Sequence, residues 1–375
     1  MKTRKDVHPA QAGSRSRPAK TPVEKLFVTF NGETVRGYVL AIDARTGREK
    51  EAASSGNAQP PPVIVFFPGH AQRPDDAFEF TGRLAWKSRS GIVIVPVCDT
   101  PHGDDPSLRG DDGKVTVLVE LVRHACAGLG LGIHGQAPQT GAMAVALGPP
   151  APPLPPGSPR VMLAVVGWSH GAILARRVAH AYPGTVVSLA QVCPAGYEAT
   201  TPGKLTARFV RESASMVARA GGEGRMGKLA RSAWGFTKGL CGDFARSIAL
   251  AGTSLDPSKV LRVFRDIHDC TTLCDSTRFK ASHLRRIAVF FGASDTLMAP
   301  IRLLGTAEVG DPCKEDLERF RRRFFADVPD SATIRLGILP GTHAAPVTHA
   351  ETYADAVLEG IGEGPGKVGE AGGGR

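Results

Sequence analysis

The sequence predicts an α/β architecture with a mostly parallel sheet of eight strands, flanked by helices and interrupted by a long helical insertion. Three observations predict it. Short continuous runs rich in Val, Ile and Phe, each bounded by Gly, Pro or polar residues, recur along the chain. Such runs suit strands that are buried on both faces, as in a parallel sheet covered by helices. Helical periodicity lies between several of them, as βα units require. The first two runs flank Asn31-Gly32, a hairpin signal, so the sheet opens antiparallel.

Leu26–Phe30 and Thr34–Ile42 form that hairpin, and residues 45–62 make a polar loop ending in prolines. Six further strands are expected at Val63–Phe67, Ile92–Val97, Val161–Val166, Val186–Val192, Ile287–Phe291 and Thr333–Leu339. Helices are expected over Val115–Ala127, Ala172–Tyr182 and Pro346–Ile361. The stretch 134–160, with its LGPPAPPLPPGSP run, reads as a surface loop. Residues 199–286 depart from the βα rhythm. Asp256-Pro257 is a cap-then-Pro helix start followed by Val260, Leu261, Phe264 and Ile267 on one face. Leu205, Phe209, Met216, Val217 and Ala220 give a second amphipathic stretch. The body therefore comprises 23–198 and 287–362, with a cap insertion at 199–286. A basic tail at 1–22, expected to be disordered, and a flexible Gly-rich tail at 363–375 flank it.

A length of 375 residues suits one large domain with an insertion rather than several full-sized domains. The net charge of +10 is uneven. Residues 1–25 carry seven Lys/Arg against two acids, and residues 203–286 carry sixteen against seven, so the body is mildly acidic. The basic segments lack aromatic interleaving and any nucleic-acid motif, and no nucleic-acid partner is expected. No apolar run approaches the ~18 residues of a membrane span. The first 25 residues offer no apolar stretch for a signal peptide, so a cytoplasmic location is expected. Seven cysteines (98, 126, 193, 241, 270, 274 and 313), odd in number and without a CxxC pair, argue against a disulfide framework or a zinc site. Cys98 and Cys193, at the ends of apolar runs, read as small core residues. Cys270 and Cys274 sit one helical turn apart, and no role is assigned to them. No cofactor or metal is expected.

The decisive segment runs from Val161 through Gly167-Trp168-Ser169-His170-Gly171 into Ala172-Ile173-Leu174. A buried strand leads directly into Gly-x-Ser-x-Gly, and a helix follows. Such a turn strains the serine backbone and lifts its Oγ above the sheet, and side chains two residues to either side would collide.

This segment resembles the nucleophile elbow of the α/β-hydrolase family, and the resemblance covers roughly residues 24–198 and 287–361. It implies Ser169 as nucleophile, with an acid after a later strand and a histidine after the last. Asp295 lies in Gly292-Ala-Ser-Asp295-Thr-Leu-Met-Ala-Pro300, directly after Ile287–Phe291. His343 follows Thr333–Leu339 in Pro340-Gly341-Thr342-His343. His343 would be the general base and Asp295 would hold its tautomer. Asp295 is preferred to Glu198, which follows the preceding strand, a position that some hydrolases use. His343 is preferred to His349, which falls inside the last helical pattern, and Asp99 reads as support for a neighbouring loop. An oxyanion hole is expected from the backbone N–H of His170 and of His70, in the loop Pro68-Gly69-His70. Both histidines read as turn residues rather than metal ligands. The Pro-Gly-x loop, the Gly-Trp-Ser-x-Gly elbow and the acid loop are similar to those of cutinases and polyester hydrolases, which usually have a signal peptide and no cap. A serine at the elbow, where dehalogenases and epoxide hydrolases carry Asp, implies acyl transfer through an acyl-enzyme. The expected activity is hydrolysis of a small carboxylic ester with an apolar acyl group. Thioesterase, amidase, acyltransferase and non-catalytic ligand binding are the alternatives.

Overall fold

Val63–Phe67 and Leu163–Trp168 carry no charged side chain and are buried along their whole length, so neither can lie at an edge of the sheet. In the computed structural model they pair with one another at its centre. The structure describes residues 22–30, 33–47, 49, 60–69, 72–98, 111–135, 146–147, 154, 158–205, 207–208, 211–212, 270–271 and 273–363. In chain order the elements are β1 (Glu24–Phe30), β2 (Glu33–Asp43), β3 (Val63–Phe67), α1 (Phe78–Lys87), β4 (Ile92–Cys98) and α2 (Asp111–Gly128). Then follow β5 (Gly132–Ile133), β6 (Ala146–Leu147), β7 (Arg160–Val161), β8 (Leu163–Trp168), α3 (His170–Ala181) and β9 (Val186–Val192). After the insertion come β10 (Arg286–Gly292), α4 (Pro300–Leu304), α5 (Lys314–Phe324), β11 (Thr333–Leu339), α6 (Ala345–Thr348) and α7 (Ala350–Ile361).

The main sheet has the order β11-β10-β9-β8-β3-β4-β2-β1-β6. β3, β4 and β8 to β11 run parallel, while β1, β2 and β4 pair antiparallel. The chain moves from β3 to β4 in one direction and resumes at β8 on the other side of β3. That reversal opens a crevice at the carboxyl ends of β3 and β8, where open α/β sheets bind ligands. Alternating side chains of each central strand feed two cores. Leu163 and Val165 join α2, α3 and α5 on one face, and Ala164 and Val166 join α1 and α7 on the other. Among the described residues no helix is long and apolar enough to cross a membrane.

The structure corrects the sequence reading in four places. The run Val161–Val166 breaks at Met162. Its first part, β7, leaves the main sheet to pair with β5. The proline-rich stretch is not wholly loop, since Ala146–Leu147 pairs with Val28 and Thr29. The unpaired N–H and C=O groups of an edge strand accept even a two-residue partner. Three helices, α1, α4 and α5, stand outside the expected helical stretches. In α5, only Leu317, Phe320 and Phe324 carry the apolar face of a charged helix, too thin a stripe to stand out in sequence. The last helix is two, broken at His349, whose φ and ψ of −126° and 39° are not helical. The Asn31-Gly32 turn, most of both tails, and Phe209, Met216, Val217, Ala220 and the 256–267 helix lie outside the described residues.

Phe66 on β3 is fully buried and meets Phe80 of α1 edge to face, with ring centroids 5.4 Å apart. Phe66→Ala is expected to lower the free energy of unfolding by about 3–5 kcal/mol. A lower denaturant midpoint at unchanged slope would register that loss.

Candidate active site

At the carboxyl end of β8 the chain turns from strand to helix within one residue. Ser169 takes φ 55° and ψ −121°, a conformation that costs a non-glycine residue on the order of 1–3 kcal/mol. Neighbouring backbone over-determines it. Ser169 N–H donates to Val192 O (3.1 Å), while its carbonyl accepts from Ala172 N (3.0 Å) and Ala195 N (3.1 Å). The flanking glycines are needed for space. A Cβ at Gly171 would run into the carbonyl oxygens of Phe67 and Pro68, and one at Gly167 would lie 2.6 Å from Ala172 N. Helix α3 thus starts in contact with the end of β3, and the loop after β3 is brought beside the serine. There, a Cβ at Gly69 would be 3.4 Å from Ser169 Cβ, and Gly69 N–H is tied to Gln72 Oε1 (2.7 Å).

The loops after β10 and β11 deliver the other two groups. His343 Nε2 lies 2.8 Å from Ser169 Oγ, and its Nδ1 lies 2.9 Å from Asp295 Oδ2. Asp295 Oδ1 accepts from Leu297 N (2.9 Å) and Met298 N (2.8 Å), so a tight turn leaves only Oδ2 for the imidazole. Ser294 N–H donates to Gly341 O (2.9 Å) and locks the two loops together. Trp168, beside the serine, donates its indole N–H to His343 O (2.9 Å). Both Asp295 and His343 are buried. Burial opposes the charged imidazole. The Asp295 carboxylate, by charge and hydrogen bond, and Glu212 beyond it outweigh that penalty and raise the pKa of His343 above its ordinary value.

The alternatives Glu198 and His349 fall elsewhere. Glu198 does not meet the imidazole, since Arg208 (2.8 and 3.0 Å) and Arg302 (2.7 Å) hold it. Burial would raise its pKa, but the hydrogen bonds from both arginines bring it below the usual range. His349 Nδ1 sits 2.9 Å from Thr348 Oγ1 at the break between α6 and α7. His170 opens α3 directly after Ser169, the place expected for an oxyanion donor. His70 and Asp99 lie outside the described residues.

Two groups at the site carry no signal in the sequence. Cys193 directly follows β9 with φ 43° and is buried close to His343, its Sγ 3.7 Å from Thr342 O. Burial, reinforced by the Asp295 charge, pushes its thiol pKa well up. Cys193, Asp295 and His343 have ligand atoms within 4.8 Å of one another. An ion there would have to break the Asp295–His343 bond and displace a thiol proton. The second group is Glu212 of the insertion. It accepts from His343 N (3.1 Å), Thr296 N (3.1 Å) and Thr296 Oγ1. An acid in an amphipathic stretch reads as solvent-facing, and only tertiary contact reveals its place. Cys270 and Cys274 are buried thiols in a small apolar cluster with Ile173, Leu205, Leu297 and Met298.

The space argument at the elbow has a direct test. Gly171→Ala is expected to lower stability by about 1–3 kcal/mol or more. Gly184→Ala, where a Cβ meets nothing within 4 Å, should stay within about 0.5 kcal/mol of the parent. Thermal unfolding of the two variants makes the comparison.

No family profile and no curated relative matches the sequence. Solved structures do. A probable hydrolytic enzyme from Pseudomonas aeruginosa aligns over 91% of this chain and 94% of its own, at 15% identity and TM-score 0.50. An α/β-hydrolase enzyme from a Medee basin deep-sea metagenome aligns over 91% and 98%, at 13% identity and TM-score 0.44. A thermophilic esterase from Thermogutta terrifontis aligns over 90% and 97%, at 14% identity and TM-score 0.44. With its parallel sheet reversing at β3, its serine on a strained strand-to-helix joint and its acid and histidine loops after the last two strands, the chain has the α/β-hydrolase fold.

Proposed function

We propose that the protein is a serine hydrolase that cleaves a carboxylic ester through an acyl-enzyme, with Ser169, His343 and Asp295 as its catalytic residues. The observation that carries this reading is the unbroken chain Ser169 Oγ, His343 Nε2, His343 Nδ1, Asp295 Oδ2, at 2.8 and 2.9 Å, on a strained elbow. His343 Nε2 takes the Ser169 proton as Oγ attacks the acyl carbon, and Asp295 fixes the tautomer and stabilises the imidazolium. The oxyanion gathers charge beside the loop after β3, where the N–H of His170 and that of His70 would receive it. The proton then passes from Nε2 to the departing alkoxide, and water repeats the sequence on the acyl-enzyme.

Residues 199–286 act in this reading as a cap that selects the acyl group. The described part of the insertion supports it. Leu205, Cys270 and Cys274 pack on Leu297 and Met298, the residues that bond Asp295, and so reach the rim of the site.

A fluorophosphonate probe should label Ser169, and Ser169→Ala should abolish labelling and lower kcat on a cleavable ester by about 10⁴–10⁶-fold. Near-parental turnover by that variant would overturn the reading, and a panel of esters, thioesters and amides would rank the bond cleaved. The pH dependence has a definite sign. His343 must be neutral to act as base, and its pKa is raised in the folded protein. The acid limb of kcat/KM is therefore expected above the ordinary imidazole value of about 6.5, with activity rising through it. Replacing 213–269 with a short linker, which keeps Glu212, Cys270 and Cys274, should flatten the preference among acyl chain lengths. An unchanged preference would remove the cap from the mechanism.

A further inference from the structure

We infer that Glu212, supplied by the insertion, is a positioning residue for His343: its buried carboxylate clamps the histidine loop to the acid loop and holds the imidazole in line with Ser169. The inference rests on the Ser169–His343–Asp295 reading above and extends it to a residue outside those three.

The carboxylate is fully buried, and each of its oxygens serves a different loop. Oε1 accepts the backbone N–H of His343 itself, at 3.1 Å. Oε2 accepts both the backbone N–H, at 3.1 Å, and the hydroxyl of Thr296, the neighbour of Asp295. The clamp therefore grips the main chain at one residue of the reacting set and beside another. None of these donors is cationic, and burying a carboxylate is costly unless charge or hydrogen bonds compensate it. A neutral side chain would satisfy packing. Gln could not satisfy all three donors, because its NH₂ would face one of them.

The charge has a use at this place. Among the described residues, the groups facing His343 are the Asp295 carboxylate, Glu212, the Ser169 hydroxyl and the neutral Cys193 thiol, with the Tyr353 hydroxyl beyond Cys193. Among these there is no cation, so the imidazolium formed during acyl transfer gains from Glu212 as well as from Asp295. The Trp168 bond to His343 O and the Glu212 bond to His343 N hold both ends of that residue's backbone. The insertion thus completes the base, and the body alone does not.

The test uses the full chain. The rate at which a fluorophosphonate labels Ser169 is measured from pH 5 to about 9 for the parent and for Glu212→Gln, a range that brackets the imidazole titration. Melting temperature is recorded alongside. A folded Glu212→Gln variant is expected to label about 10–100-fold more slowly at its maximum, the loss that a misplaced base produces. Its acid limb should move to lower pH, because a negative charge that favours imidazolium has gone. A folded variant labelling within about twofold of the parent would overturn the inference. So would slower labelling with the limb unmoved, the mark of a merely structural bond. If Glu212→Gln does not fold, Thr296→Val is read instead, since it frees one bond of the clamp and keeps the charge. It should slow maximal labelling while leaving reversible probe affinity alone, and a parental rate would overturn the inference. A parent that never labels at Ser169 would instead overturn the nucleophile assignment.

Discussion

Helix α3 begins so close to the end of β3 that no side chain fits between them, and much of the site follows from that contact. Gly171 lies against the carbonyl oxygens of Phe67 and Pro68. The contact forces the strand-to-helix joint to tighten at Ser169, which must then adopt positive φ. It also brings the loop after β3 alongside the serine, where a developing oxyanion would need donors. Strain of this kind persists only when surrounding bonds fix it. Here Val192, Ala172 and Ala195 do so from three sides. The same backbone that fixes the elbow is continuous with β9, so the end of that strand and Cys193 are held close to Asp295 and His343.

Behind the elbow, α3 is held by an unusual anchor. Arg176 is buried on its inner face, stacks 4.4 Å from the centre of the Phe325 ring and donates to Phe324 O. Tyr197, in the loop after β9, packs on Phe320 and Phe324 and bonds Gln191. Gln191 in turn bonds Ala172 O, at 2.9 Å, near the helix start. A guanidinium is weakly hydrated for a cation and tolerates aromatic faces better than an ammonium does. The arrangement links α5, the loop after β9 and the helix that begins at the serine into one packed unit.

Burial sets the electrostatics. His343, Asp295 and Glu212 are withdrawn from water together, so their mutual interactions are little screened. Glu198, only part-buried and shared between Arg208 and Arg302, shows the other outcome. It fastens the start of the insertion to α4 and takes no part in the proton path proposed for His343. Two acids near the insertion thus have opposite company, one held by cations and one by backbone donors.

The sequence by itself determined the central strands, the hairpin opening and the serine-bearing joint. These features depend on local pattern: continuous apolar runs for strands buried on both faces, and paired glycines where backbone must pass close to backbone. It also placed Asp295 and His343 at strand ends, because a loop after a parallel strand opens on the same edge of the sheet wherever it falls in the chain. Tertiary structure decided what depends on contacts between distant segments. Ala146–Leu147 became a strand because β1 left an edge open. The last helix broke at His349 beside the packed glycine loop. Glu198 reads in sequence as an alternative acid after a strand, while Glu212 carries no signal within its amphipathic stretch. Their neighbours differ only in space, since one meets guanidinium groups and the other meets the backbone of residues 84 and 131 positions away. No periodicity encodes such a meeting, because it forms only when the insertion folds back onto the body.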